Sequence, residues 1–198
     1  MKINILNYDC GNIWSVKNIF NFLNIDARVI NSTNEILSSD CIILPGDGSF
    51  KIINDIEKKG FKEPLDSMVN EKKIPVLGIC LGMQLFGTTS EETSYSEKGF
   101  NWINGKLTKF KVKKKIPHIG FNNLINLSEP ELFKNISEES KFYFVHSYYF
   151  EAENKSDVVA ETEYEIKFPS VIKKIILLAH SFIQKRVKIK GFNSFIIF

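Results

Sequence analysis

Residues 75–86 read Pro75-Val-Leu-Gly-Ile-Cys80-Leu-Gly-Met-Gln-Leu-Phe86, an apolar run that stops at Cys80 between Gly78 and Gly82 and passes at once into a helix-like stretch. This G-x-C-x-G arrangement predicts a nucleophile elbow, a sharp strand-to-helix turn that lifts the thiol out at the end of a strand. Side chains at the two glycine positions would block such a turn. The elbow sets the thiol at a helix N-terminus, whose partial positive charge favours thiolate. It also leaves the backbone N–H groups of Leu81 and its neighbours free to hold a developing oxyanion. A single cysteine on an apolar strand is ordinarily an inert core residue; the paired glycines and the strand-to-helix context weigh against that reading here.

Working outward, Lys2 to Tyr8 reads as a buried strand, Ile13 to Leu23 carries apolar residues at helical spacing, and Ala27 to Ile30 is a short second strand. The chain therefore opens as a βαβ unit. Cys41-Ile-Ile-Leu-Pro45 is a further strand running into Gly46-Asp-Gly48, and two amphipathic stretches, Phe50 to Glu57 and Phe61 to Val69, lead to the Cys80 strand. This alternation predicts an α/β fold with a mostly parallel sheet and helices on both faces. Beyond Gly99 the texture becomes β-rich over Lys106 to Val112, Lys141 to His146, Val158 to Glu163 and Ile166 to Ile172, which predicts an antiparallel extension of the sheet. No repeat, linker or low-complexity block divides the chain, so residues 1–198 read as one domain, with 175–198 an atypical tail.

The composition, 198 residues with 43% apolar and 25% charged, suits a soluble domain with a full core. Net charge is +3, and the densest basic cluster, Lys109 to Lys115, is explained more simply as a solvated turn than as a nucleic-acid site. The N-terminus is too short in apolar length for a signal peptide, and no apolar run reaches the roughly 20 residues of a membrane span. A cytoplasmic protein is expected. Cys10, Cys41 and Cys80 are odd in number and lack metal-ligand spacing, which fits a reducing compartment, no disulfide framework and no metal. Nothing resembles a nucleotide or flavin signature, so no cofactor is expected.

In open α/β sheets the site lies beyond the C-terminal ends of the strands, so the Gly46-Asp-Gly48 loop and the Cys80 elbow can face each other there. Together, Leu44-Pro-Gly-Asp-Gly-Ser-Phe50 and Gly78-Ile-Cys-Leu-Gly-Met-Gln84 resemble the class I glutamine amidotransferases. Asn7-Tyr-Asp-Cys-Gly-Asn12, Pro117-His-Ile-Gly-Phe-Asn122 and Phe144-Val-His-Ser-Tyr-Tyr149 resemble the branch that provides the glutaminase subunits of imidazole glycerol phosphate synthases. The likeness runs from Met1 to about Lys174.

The resemblance implies a flavodoxin-like sheet, hydrolysis of glutamine to glutamate at the cysteine, and delivery of ammonia to a separate barrel-shaped cyclase subunit in a heterodimer of histidine biosynthesis. By motif it makes Cys80 the thioester-forming nucleophile, Gly48 and Leu81 the oxyanion donors, and Gly46, Gly82 and Gln84 the substrate-binding residues. It places Pro117, His118, His146, Tyr148 and Tyr149 at the partner interface, with Tyr148 or Tyr149 at the mouth of the pocket. Taken alone, His118 and His146 read as satisfied structural histidines. Two departures are tolerable because backbone geometry carries the work: Phe121 stands where the family has tryptophan, and Asp47 where it has a small apolar residue.

A third departure is serious. A cysteine amidase needs a general base and an orienting carboxylate, which the family supplies as His-Pro-Glu after a late strand. That tripeptide is absent; His180 is the one histidine after His146, and no acidic residue follows Glu165. Yet with suitable codons residues 175–190, read one base earlier from the last base of Lys174, become Asn-Asn-Thr-Phe-Gly-Thr-Gln-Phe-His-Pro-Glu-Lys-Ser-Gln-Asn-Lys. The missing motif returns whole, beside a Lys173-Lys174 adenine run suited to slippage. The tail therefore reads as frame-shifted, through a lesion or a sequencing error.

In the restored frame the histidine codon overlaps Phe182 and Ile183 and the glutamate codon overlaps Gln184 and Lys185. His180 then falls two to three residues early, about 7–10 Å along a strand at roughly 3.3 Å per residue, and is a poor base. Strongly reduced glutaminase activity is expected. The basic run Lys185 to Lys190 and the apolar end Phe192 to Phe198 further predict a frayed C-terminus or poor solubility. Three other functions compete: an ammonia-supplying paralogue for surface-glycan sugar amidation, a non-catalytic partner-binding subunit, and a cysteine peptidase or disulfide-exchange protein. The last lacks a resolving cysteine near Cys80 and leaves the Gly46-Asp-Gly48 loop unexplained.

Overall fold

Strand β1 (Ile3–Leu6), helix α1 (Ile13–Phe22) and strand β2 (Ala27–Ile30) form the expected parallel unit at the start of the chain. The structure, a computed structural model, describes residues 1–181 apart from 11, 94–96, 135 and 138. After β2 come α2 (Thr33–Leu37), β3 (Cys41–Leu44), α3 (Ile52–Lys58), α4 (Lys62–Asn70), β4 (Val76–Ile79) and the single-turn helix α5 (Leu81–Gln84). The elements of the second half are strands but for one short 3-10 turn: β5 (Thr89–Ser90), β6 (Gly105–Lys109), β7 (His118–Asn123), β8 (Lys141–His146), β9 (Tyr148–Ala152), β10 (Val158–Tyr164), β11 (Ile166–Lys174) and β12 (Leu177–His180).

The main sheet runs β10-β11-β12-β4-β3-β1-β2. Its β2, β1, β3, β4 and β12 pair in parallel, and β11 and β10 extend it antiparallel. Alternation along each strand builds two cores. Ile5 and Ile43 turn towards Ile13 and Phe20 of α1, while Leu6, Ile42 and Leu44 turn to the opposite face and meet Ile53 and Ile56 of α3 and Leu65 and Met68 of α4. Each such buried side chain contributes about 1.5–3 kcal/mol relative to exposure. Helices thus cover both faces, as the alternation required, and the loops after β1, β3 and β4 emerge along the edge where β12 also ends.

Two expectations need correction. The stretches Lys106–Val112 and Lys141–His146 do not extend the main sheet: β6 pairs with β5 and β9 in a three-stranded sheet, and β8 pairs with β7 in a two-stranded one. Phe110 and Phe144 serve a separate core with Phe168 and Val171 beside the end of the main sheet, whereas Leu107 of β6 joins the main core. Helix α2 was also unforeseen, although Ser32-Thr-Asn-Glu35 is a capping-box spacing: the Glu35 carboxylate accepts from the Ser32 hydroxyl at 2.6 Å and from the Asn31 N–H at 3.2 Å. The expectations for Phe182, Ile183, Gln184, Lys185 to Lys190 and Phe192 to Phe198 lie outside the described residues.

Candidate active site

The elbow at Cys80 is built by two glycines that touch. A Cβ on Gly78 would lie 2.8 Å from the Gly82 carbonyl carbon and oxygen, and one on Gly82 would lie 1.9 Å from the Leu44 carbonyl oxygen. Only hydrogen fits at either position, so β4, α5 and β3 close on one another and Cys80 takes the turn. Its backbone sits at φ 54 and ψ −106, a conformation that costs a non-glycine residue about 1–3 kcal/mol and persists because its surroundings hold it.

The thiol faces a cavity of about 290 Å³. It is lined by Cys80, Leu81 and Gln84 of the elbow, by the Asp47-Gly48 turn, and by Pro117 with residues 145–148. Glu92 completes the lining, its carboxylate fixed by the Phe50 N–H at 2.8 Å. Of the anticipated site residues, Gly48, Cys80, Leu81, Gln84, Pro117, His146 and Tyr148 therefore converge on one hollow. Glu92, Val145 and Ser147 join them without having been anticipated; an acidic residue in a polar turn carries no local signal of facing a thiol. Gly46 and Gly82 do not line the cavity: Gly46 backs onto Leu81 and Tyr8, and Gly82 onto β3, so their part is close packing.

The turn after β3 is held from beneath by three hydrogen bonds. The buried Tyr8 hydroxyl donates to the Pro45 carbonyl, the Leu81 N–H donates to the Gly46 carbonyl at 3.4 Å, and Cys10 Sγ donates to the Asp47 carbonyl. The Leu81 N–H is thus engaged rather than free, which corrects the sequence expectation. Gly48, at φ 109, uses a conformation that favours glycine and lies over Cys10.

The electrostatics also differ from expectation. Burial pushes the Cys80 thiol up to about 11; the Leu81 backbone opposes this, while Asp47 and Cys10 add to it. Helix α5 has a single turn, so its dipole is too small to reverse the desolvation of an 8% exposed cysteine. Burial likewise raises Cys10 to about 11. In this state the nucleophile is a thiol.

His180 closes β12, level with Ile79 in the parallel register, and its carbonyl accepts the Cys80 N–H at 2.8 Å. Its side chain is buried and is not among the residues lining the cavity. It sits one rung short of the cysteine and inside the sheet. His118 and His146 form a cross-strand pair with both rings buried; His118 Nδ1 lies 3.2 Å from His146 Nε2, and His146 Nδ1 lies 2.8 Å from the Tyr148 carbonyl. Burial lowers both to about 4.

These two histidines, expected near the partner face, are buried and hydrogen-bonded, as the structural reading of each taken alone has it. Strand alternation turns them inward and puts Ile119, Phe121 and Val145 outward, at 56%, 56% and 37% exposure. Ile119 pairs with Val145 and Phe121 with Tyr143 across β7 and β8, so the exposed strip starts at the cavity wall and runs away from it. Tyr148 lines the cavity, whereas Tyr149 turns to Phe110, ring centroids 5.0 Å apart. Among the described residues no group of His, Cys, Asp and Glu could hold a metal ion, and no helix is long and apolar enough to cross a membrane.

Residues 6–175 match the family "Glutamine amidotransferase class-I". The chain is 36% identical over 178 residues to a Leptospira borgpetersenii protein named imidazole glycerol phosphate synthase subunit HisH, covering 87% of this chain and 86% of that one. It is 41% identical over 175 residues to imidazole glycerol phosphate synthase subunit HisH 2 of Methanococcus maripaludis, again with 87% and 86% covered. Among solved structures, a glutamine amidotransferase superposes with a TM-score of 0.73 at 14% identity over 91% of this chain and 89% of its own. The glutaminase domain of Trypanosoma brucei CTPS, with bound acivicin, superposes with a TM-score of 0.64 at 15% identity, covering 92% and 85%. At such identities the structural likeness concerns the fold.

Proposed function

We propose, from the premise that this chain belongs to the class I glutamine amidotransferase family, that it is the glutaminase subunit of an imidazole glycerol phosphate synthase in histidine biosynthesis. The observation that carries this reading is Cys80 itself, held at φ 54 by a glycine contact and lining one hollow with the Gly48 turn. A sugar-amidating paralogue is not favoured by the relatives' names.

In this reading residues 1–198 form one amidotransferase domain and glutamine enters with its carboxamide towards Cys80. Gln84 borders the same hollow, and Glu92 offers a carboxylate for the ammonium of an amino acid. Sγ attacks the carboxamide carbon, the carbonyl oxygen takes up negative charge, and the amide nitrogen leaves as ammonia once protonated; water then frees glutamate from the thioester. For Leu81 and Gly48 to hold the oxyanion, the Leu81 N–H must exchange the Gly46 carbonyl for it. At 3.4 Å that bond is long, so little is lost in the exchange.

The partner is a separate, barrel-shaped cyclase subunit, and the strip of Ile119, Phe121 and Val145 beside the cavity mouth is the apolar surface that supports docking there. Three free cysteines suit a cytoplasmic setting. Hydrolysis in this chain is impaired, because the residue that should take the Cys80 proton is missing. In support, β12 delivers the chain beside Cys80, where the family's His-Pro-Glu would follow, and the family match stops at residue 175. A glutamine-mimicking haloketone tests the site directly: mass spectrometry should find one adduct, on Cys80, suppressed by excess glutamine. Labelling that glutamine does not suppress would refute the assignment.

A further inference from the structure

We propose that His118 and His146 form a two-imidazole relay of fixed tautomers that positions the Ser147-Tyr148 wall of the cavity and prevents His146 from acting as a base. The geometry alone sets the protons. A carbonyl oxygen only accepts, so the 2.8 Å contact between His146 Nδ1 and the Tyr148 carbonyl requires a proton on Nδ1. A neutral imidazole carries one proton, which leaves His146 Nε2 bare. The 3.2 Å contact to His118 Nδ1 then requires His118 to donate, so its proton is on Nδ1 as well.

The surroundings keep both rings neutral and aligned. Tyr164 stacks on His118 with ring centroids 4.1 Å apart, Phe144 stacks on it at 5.0 Å, and Phe110 stands edge-on to His146 at 5.2 Å. Burial is the first cause of the low proton affinity at both sites; Lys114 adds to it at His118, and His118 adds to it at His146. The Tyr164 hydroxyl is turned away to the Lys115 carbonyl, so it does not compete for either imidazole.

Two consequences follow. His146 borders the cavity with Cys80, yet its lone pair is taken by His118 and its proton by Tyr148, so it cannot accept the thiol proton. The relay instead holds the Tyr148 carbonyl, and with it the Tyr148-Tyr149 peptide, where the chain passes the cavity lined by Ser147 and Tyr148. His146 is therefore a positioning residue, with His118 acting through it. The role assigned to this wall in seating glutamine rests on the proposed function; the tautomers do not.

The test uses the intact 15N-labelled chain. Long-range 1H–15N correlation spectra near neutral pH, assigned with His118→Asn and His146→Asn, should show Nδ1 protonated and Nε2 bare for both histidines. A His146 protonated at Nε2 overturns the relay. In His118→Leu the Tyr148 and Tyr149 backbone resonances should move and glutamine affinity fall by about tenfold, the scale of one lost buried hydrogen bond. His118→Asn, which keeps an N–H donor at similar reach, should preserve both within about twofold. Equal behaviour of the two variants overturns the positioning role. Should the parent chain bind no glutamine, the proposed function fails, while the spectra and the amide shifts still decide the relay. Should His118→Leu not fold, the parent's tautomers decide it.

Discussion

Replacing residues 175–190 by the reading one base earlier should restore glutaminase activity by at least about a thousandfold. The size comes from register. His180 lies level with Ile79, one rung before Cys80, and a histidine two to three residues later stands about 7–10 Å further along the chain at roughly 3.3 Å per residue. General base transfer needs heavy atoms about 2.6–3.2 Å apart, so an imidazole fixed in the sheet at position 180 contributes nothing by that route. Positioned general bases supply about 10²–10⁴ in rate, and here the base must also ionise a thiol raised to about 11. A thousandfold gain corresponds to about 4 kcal/mol of transition-state stabilisation. The assay is glutamate release from glutamine with the cyclase partner present, and Cys80→Ala as the blank. The reasoning fails if the unaltered chain turns over as fast as the restored one and both depend on Cys80. It fails equally if the restored chain folds and gains nothing.

Four further outcomes follow from the geometry. With a thiol at about 11 against an ordinary 9.0, alkylation of Cys80 in the isolated chain at pH 8 should be about a hundredfold slower than a free cysteine's and should rise with a midpoint near 11, as followed by mass spectrometry. Gly82→Ala drives a methyl into the Leu44 carbonyl and should lower the melting temperature by about 6–12 °C, reflecting roughly 3 kcal/mol of overpacking, whereas Gly60→Ala, with open space around it, should cost about 1 kcal/mol of backbone strain. His146, lowered from 6.5 to about 4, is neutral in the fold while the unfolded chain binds its proton first. Stability should therefore be complete above pH 6.5 and fall towards pH 4 by about 3 kcal/mol from this group, as measured by urea titration across that window. Ile119→Asp combined with Phe121→Asp should weaken cyclase binding by about a hundredfold in calorimetry and leave the melting temperature within a few degrees, because both side chains are more than half exposed.

The legible parts of this site are those whose cause is local sterics. Gly78 and Gly82 announce the elbow because no other residue fits their contact, and the positive φ of Gly48 marks the turn after β3. Alternation in the first half of the chain was equally legible, since Ile5 against Leu6 and Ile43 against Leu44 sort two faces of one sheet. What failed depended on partners distant in sequence. β6 and β8 looked like strands of the main sheet because a strand's own pattern says that it pairs but does not name its neighbour. Motif likeness also carries no phase, so the two strand motifs did not by themselves say which of their residues would be buried. A one-residue change of phase exchanges His118 for Ile119 and His146 for Val145, and the structure chose the apolar pair for the outside. The thiol shows the same limit in energetic form. A helix N-terminus is visible in sequence and argues for thiolate, but α5 has one turn, while the desolvation that outweighs it comes from burial of the thiol in the folded chain, to which the charge of Asp47 adds. A cysteine held this far towards its neutral form requires a base at the moment of attack. The misplacement of His180 by two to three residues therefore bears on activity more than any substitution among the pocket-lining residues other than Cys80.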